Sequence, residues 1–313
     1  MSTNDSLTGT PTLPPSPRVP LAELPTGFGH PSRWRSVRNQ GATVVMYGAF
    51  VLAVVPLAWI LWTVVSRGLK LIVHLDWWTH SQRGMTAMKA GGGAYHAIIG
   101  TLVEALVCAA ISVPIGILTA VYLVEYGRGR LARVISFMVD ILTGIPSIVA
   151  ALFVYALWVS TFGWERVPIA VSFALVLLMV PVVVRSTEEM LKLVPNELRE
   201  ASYALGVPKW KTISSIVLPT AFSGILTGVL LGLARVMGET APLLILGPYA
   251  KSINTNIFDG YFGALPTMIN YERTEFTDAA LARTWAAALT LILLILALSL
   301  SARLIAKFSR LRP

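Results

Sequence analysis

Residues 200–219 read EASYALGVPKWKTISSIVLP, a polar stretch with a turn in it, set between two long apolar runs. Its residues keep a fixed spacing: Glu200-Ala201-Ser202, three residues, Gly206, nine residues, Ile216, one residue, then Leu218-Pro219. The pattern predicts a short helix over 197–205. Gly206 stands at its C′ position, where a left-handed backbone costs glycine least, and Pro208 just beyond prevents continuation. A second helical turn around Trp210 then leads back toward the next apolar run. Read from its residues alone, such a stretch is an ordinary connection with an amphipathic helix.

The composition around the loop sets the class. Of 313 residues, 55% are hydrophobic and 13% charged, against about 25% charged in a soluble domain. So little polar surface cannot coat a water-soluble globule, and apolar runs of about 20 residues point to a polytopic helical membrane protein. A net charge of +9 is compatible with nucleic-acid binding, but membrane proteins concentrate Lys and Arg on cytoplasmic loops in any case, so no nucleic-acid partner is expected. The single cysteine, Cys108, lies inside an apolar run with no CxxC or His neighbour, which argues against metal and redox roles. No GxxxxGK[ST] phosphate loop occurs, and Gly91-Gly92-Gly93 reads as a flexible break before an apolar run. No catalytic residue, metal or cofactor is expected.

Residues 1–42 are rich in Pro, Ser and Thr and read as a disordered tail. The apolar run that follows begins near Thr43, too late and too long for a cleavable signal peptide. Six spans are predicted within 43–313, at 43–66, 97–124, 134–160, 167–184, 220–248 and 282–305. At ~1.5 Å per residue each can cross a ~30 Å hydrocarbon core, the fourth only just. Six crossings put both termini on one side. With that side cytoplasmic, 16 of the 25 basic residues fall on it and eight on the other, the bias that places both ends and the loop over 197–219 inside. Trp77-Trp78, in the first long outer segment, is expected at the membrane interface.

Ionisable groups within the spans are costly, at ~3 kcal/mol each on insertion scales. Glu104 and Asp140 lie about two turns in from span ends. Arg235 and Glu239 fall near the middle of the fifth predicted span, four residues apart and on one helix face. Gly238 and Pro242 in the same segment, RVMGETAPLL, predict a kinked or unwound helix, and such a break exposes backbone donors where it lines a cavity. The pair is open to two readings, a structural tie or part of a solute path. Arg185, at the end of the fourth span, is either a positive-inside anchor or part of that path. Gly144 and Pro146, in Gly144-Ile145-Pro146-Ser147, predict a second helix interruption.

Taken together, the loop, GIPSIVAALF, VVRSTEEML and ALARVMGETAPLL resemble, in content and order, the PstA-type permeases of bacterial phosphate importers. These are members of the EAA-loop family of ABC importer permeases. The resemblance covers about residues 95–300 and departs from the loop pattern at Ser202, where the family has alanine. It implies an all-α, six-helix bundle of the type I ABC importer permease fold in the bacterial plasma membrane. It implies an ATPase-coupling role for Glu200, Ala201, Ser202, Gly206, Ile216, Leu218 and Pro219, and a phosphate-path role for Arg235, Glu239 and Arg185. The expected partners are a PstC-like second permease, a dimeric PstB-like ATPase, a PstS-like extracytoplasmic binding protein and membrane lipid. The chain itself is then a transport subunit and not an enzyme. An importer permease for another oxyanion or phosphorus-containing solute is the alternative; a secondary transporter or channel would need no such loop.

Overall fold

The computed structural model describes residues 33–309. Most of the expected tail lies outside the described residues, and α1 (Arg33–Ile72) already includes its last ten. The chain divides after Ala58 into two units. The first contributes the opening turns of α1. In the second follow α2 (Leu75–Thr79), α3 (Tyr95–Val121), α4 (Gly129–Gly144), α5 (Ser147–Tyr155), α6 (Pro168–Lys192), α7 (Asn196–Ala204), α8 (Lys209–Thr212), α9 (Leu218–Met237), α10 (Ala241–Leu246), α11 (Leu265–Arg273) and α12 (Asp278–Ser309). No strand occurs among the described residues. Proline at the first or second position opens α6, α9, α10 and α11, where its missing N–H costs no hydrogen bond.

Among the described residues, five segments are long and apolar enough to cross a membrane: Val37–Ile72, Tyr95–Tyr126, Pro168–Lys192, Lys209–Met237 and Asp278–Ser301. A sixth crossing exists if α4 and α5 with its continuation count as one span, but the two are bent by 106°. The third predicted span, 134–160, is thus interrupted where Gly144 and Pro146 predict a break, and the bend there is larger than a plain kink. Pro146 forces the residue before it out of the helical region, and Ile145 is extended (φ −73°, ψ 126°). α5 then leaves α4 and packs on α6 and α10.

α6 is the centre of the second unit. In its apolar stretch 67% is buried, against 22% for the stretch through α3 and 28% for that through α9. α3 and α9 approach it where a side chain is missing. A Cβ on Gly116 would lie 2.6 Å from Val183, and one on Gly228 would lie 2.4 Å from Ser186. Small residues of this kind let helices pack closely in lipid, where dispersion and not water drives association. Val171, Leu175, Met179 and Val183 of α6 form the middle of the core with Cys108, Leu233, Val236 and Leu246. Val184, Leu191, Val217 and Ile225 form a second cluster toward the loop.

A third cluster closes the opposite end. Trp77 is 1% exposed there and its indole N–H donates to Thr290 Oγ1 at 2.8 Å. It is an anchor in the protein interior, and of the expected interfacial pair only Trp78 is half-exposed. Arg283 and Glu272 form a fully buried ion pair at 2.8 Å. The rest of the Arg283 guanidinium donates to the carbonyls of Thr86, Ala87, Lys89 and Gly91. The glycine triplet is no slack joint. Gly91 and Gly92 turn left-handed, and a Cβ on Gly93 would fall 2.1 Å from the His80 carbonyl oxygen. Nearby, burial raises the Tyr249 phenol pKa above its ordinary range, so it stays a donor, to Gln82 Oε1 at 2.7 Å.

Candidate functional site

The loop folds as two short helices about one glycine. α7 ends at Ala204, and Gly206 turns left-handed at φ +74°. Its N–H donates to Tyr203 O at 2.9 Å, while that of Val207 reaches Ser202 O at 3.2 Å. Pro208 caps α8. Ser202 and Thr212, 2% and 0% exposed, meet through their hydroxyls at 2.8 Å and tie α7 to α8. The hydroxyl at 202 therefore gives the tight turn a cross-link that an alanine there cannot make. Glu200, Ala201 and Gly206 are exposed, and so are Leu205 (83%) and Trp210 (66%). Ile216 and Leu218 are half-buried where the loop enters α9, and Pro219 is exposed.

The loop is bound to the bundle by charge as well as by the chain. Arg199 of α7 donates through Nε and Nη2 to Glu125 Oε1 at 3.1 and 2.9 Å. Its other donors reach the carbonyls of Val194 at 2.6 Å and Leu191 at 3.0 Å, at the end of α6. Lys209 of α8 donates to the Glu125 carbonyl and lies over the Tyr126 ring. The pairing of Glu125 with Arg199 is invisible in the sequence, because residues 74 positions apart carry no spacing signal.

The second element is a break in the helix. Lys209 is already helical, so the continuous helix through α9 starts eleven residues before the predicted 220 and ends at Met237. Arg235 thus sits in the last turn of α9, at the edge of the break. The chain resumes as α10 with Pro242 near its start, and Gly238, Glu239 and Thr240 lie between. Arg235 Nε is 3.8 Å from Glu239 Oε1. That is an ion-pair contact but too long for a hydrogen bond. The Arg235 side chain is 61% exposed, Glu239 is 17% exposed, and the Arg235 guanidinium makes no hydrogen bond among the described residues. Its planar fork of donors is available to an anion.

Arg185 is placed differently. Its guanidinium donates to Glu188 at 2.6 Å, to the Ser136 carbonyl and hydroxyl at 3.2 and 3.0 Å, and to Asp140. It ties α6 to α4, and Lys192 completes the cluster on Glu188 at 2.7 Å. Gly228 of α9 lies against Ser186 of α6, so Arg235 is seven residues, about 10 Å, further along the bundle. The structure joins Arg235 to Glu239 and sets Arg185 apart from both. The Glu104 side chain, on a residue 4% exposed, has no ion pair or hydrogen bond among the described residues. It lines a small cavity with Thr101, Met237, Leu243, Ala264 and Pro266, directly behind the break.

Residues 112–311 match the family described as "Binding-protein-dependent transport system inner membrane component". That stretch includes the loop, Arg185 and the broken helix. "Phosphate transport system permease protein PstA 1" of Mycobacterium tuberculosis (strain CDC 1551 / Oshkosh) is 54% identical over 271 residues, 87% of this chain and 89% of that protein. "Phosphate transport system permease protein PstA" of Mycobacterium leprae (strain TN) is 56% identical over 266 residues, 85% and 88% of the two chains. The chain belongs to the PstA family of binding-protein-dependent transport permeases. Its PstA relative from Yersinia pestis is 40% identical over 277 residues, 87% of this chain and 91% of that one. Solved structures share the fold at lower identity. A chain of the MetNI methionine ABC transporter, inward facing, is 21% identical with a TM-score of 0.54 over 69% of this chain and 94% of that one. A chain of a bacterial alginate ABC transporter, crystallised with its periplasmic protein, is 14% identical with a TM-score of 0.60 over 86% and 95%. The PstA-family fold is thus that of ABC importer permeases.

Proposed function

We propose that this chain is the PstA-type membrane subunit of an ATP-driven importer of inorganic phosphate. It does no chemistry itself. A PstC-like permease completes the path, two PstB-like ATPases bind the loops, and a PstS-like receptor delivers phosphate from outside. The charge bias puts the chain ends and the loop over 197–219 in the cytoplasm. The observation that carries the substrate reading is the exposed Arg235 guanidinium, held by Glu239 at ion-pair distance and by no hydrogen bond. Phosphate offers oxygens that match the guanidinium fork two at a time. As the anion arrives it takes the donors and displaces the Glu239 carboxylate. As it leaves, the carboxylate returns, so the site exchanges one anion for another and does not become a trap. Arg185, with its donors engaged, acts in this reading as the tie between α6 and α4, beside the path.

The test is radiolabelled phosphate uptake in cells lacking this chain and complemented with variants, normalised to membrane levels. Arg235→Ala is expected to abolish uptake. Arg235→Lys, which keeps the charge without the fork, is expected to restore part of it, and Glu239→Ala to fail. Uptake close to that of the unaltered chain in the double variant Arg235→Met/Glu239→Leu makes the pair a packing element and refutes the reading.

A further inference from the structure

The loop and the broken helix are at different levels of the bundle, so something must connect them. Three features single out one residue. Glu125 lies in the widened last turn of the α3 helix, the π turn Tyr122–Tyr126. There its carboxylate takes both Nε and Nη2 of Arg199, and its carbonyl takes Lys209. One residue therefore receives both halves of the loop, α7 through Arg199 and α8 through Lys209. The ion pair is shielded, with side chains 12% and 6% exposed, so water neither screens it nor replaces it cheaply when it opens. At its far end α3 carries Thr101, whose hydroxyl accepts the Leu265 N–H at 2.9 Å, and Glu104, in the cavity beside Met237 at the end of α9. From Thr101 to Glu125 the helix is a rod of about 36 Å, held along its length against α6.

We propose that Glu125 is a positioning residue for transport, clamping the coupling loop to α3 so that the two move as one body. Displacement of the loop is delivered along α3 to the region of the α9 break. Docking of the ATPase is a separate matter of the exposed face of α7 and α8, which Glu125 does not reach. The inference rests on the reading of the loop as the ATPase-coupling element.

The test uses the complete transporter, purified with its second permease and ATPase and reconstituted with its binding protein in liposomes. Phosphate moved per ATP hydrolysed is the readout. Glu125→Gln keeps the size of the side chain and removes the charge. It is expected to leave the ATPase co-purifying and to lower phosphate per ATP by about tenfold, within the usual range of coupling between sites. A fall in membrane level or ATPase yield with phosphate per ATP unchanged makes Glu125 a folding residue and overturns the proposal. A second experiment covers the case in which Glu125→Gln fails to assemble. Cysteines at 125 and 199, in a Cys108→Ala background, are joined by a short thiol cross-linker. Transport that survives the bridge supports one moving body; transport abolished by the bridge and regained on cleaving it means that loop and α3 must part, and overturns the proposal. If the ATPase fails to bind even the unaltered chain, the coupling reading falls, an outcome distinct from both.

Discussion

At the scale of single residues, Gly206 carries the sharpest expectation. Its φ of +74° is open to glycine and strained for a β-branched side chain. Gly206→Val is expected to cost about 1–2 kcal/mol locally and to redirect α8 relative to α7. The variant should reach the membrane at the usual level, with ATPase co-purification and uptake both reduced. Normal values of both would detach the loop from the ATPase. Gly206 is legible in sequence because its role is local, set by residues within one turn. Trp77 shows the reverse. Its type predicts an interfacial ring, but its position is decided by Thr290, 213 residues away, and nothing near it in the chain records that. Arg283 and Glu272 are hidden for the same reason, since a charge at a span boundary looks alike whether it meets water or a buried partner.

At the scale of elements, glycines sort into those that are packed and those that are not. A Cβ on Gly228 meets Ser186 at 2.4 Å, whereas one on Gly144 meets nothing within 4 Å. Gly228→Ala is expected to overpack the seam between α9 and α6 and destabilise by about 1–3 kcal/mol. Gly144→Ala is expected to be neutral or slightly stabilising. Thermal unfolding of the purified protein in detergent separates them, and equal midpoints would contradict the helix contacts described. The positions of the two helix breaks follow from sequence, because Gly, Pro and the residue before Pro have fixed backbone preferences. The size of the bend does not. The 106° at Ile145 depends on α5 finding α6 and α10, which is a tertiary fact. The helix through α9 begins well before its apolar run for a related reason. Lys209 and Lys211 look like loop residues, yet their stems are helical and the π turn Ile213–Val217 joins them to α9.

For the whole molecule, the testable quantity is sidedness. Within the loop, position 202 is a poor site for a labelling probe, since Ser202 is buried against Thr212. Leu205 and Phe258 are exposed, at 83% and 71%. Single cysteines at these two positions, in a Cys108→Ala background, should respond oppositely to a membrane-impermeant thiol reagent in intact cells. Position 258 is expected to react and position 205 to be spared. Reaction at 205, or at both, would reverse the assigned orientation or change the number of crossings. The bent α4–α5 pair makes the outcome open. The one candidate crossing between them, Lys209–Met237, separates 205 from 258 whether or not that pair spans, and the pair decides which of the two shares a side with the amino-terminal end.

The four carbonyls gathered on Arg283 also bear on how the protein meets proteases. A protease must draw a stretch of chain into its cleft in extended form, and exposed tips yield most readily. Residues 86–93 look like such a tip in the sequence, with small residues and three glycines following one another. Fixed through Thr86, Ala87, Lys89 and Gly91 to a guanidinium that is 1% exposed, they should resist digestion. Arg283→Met strands the Glu272 charge and frees the segment at once, so a new cut near Lys89 is expected in that variant. Adding Glu272→Leu removes the stranded charge without restoring the carbonyl contacts. If the guanidinium is the fastening, the double variant recovers stability and still is cut.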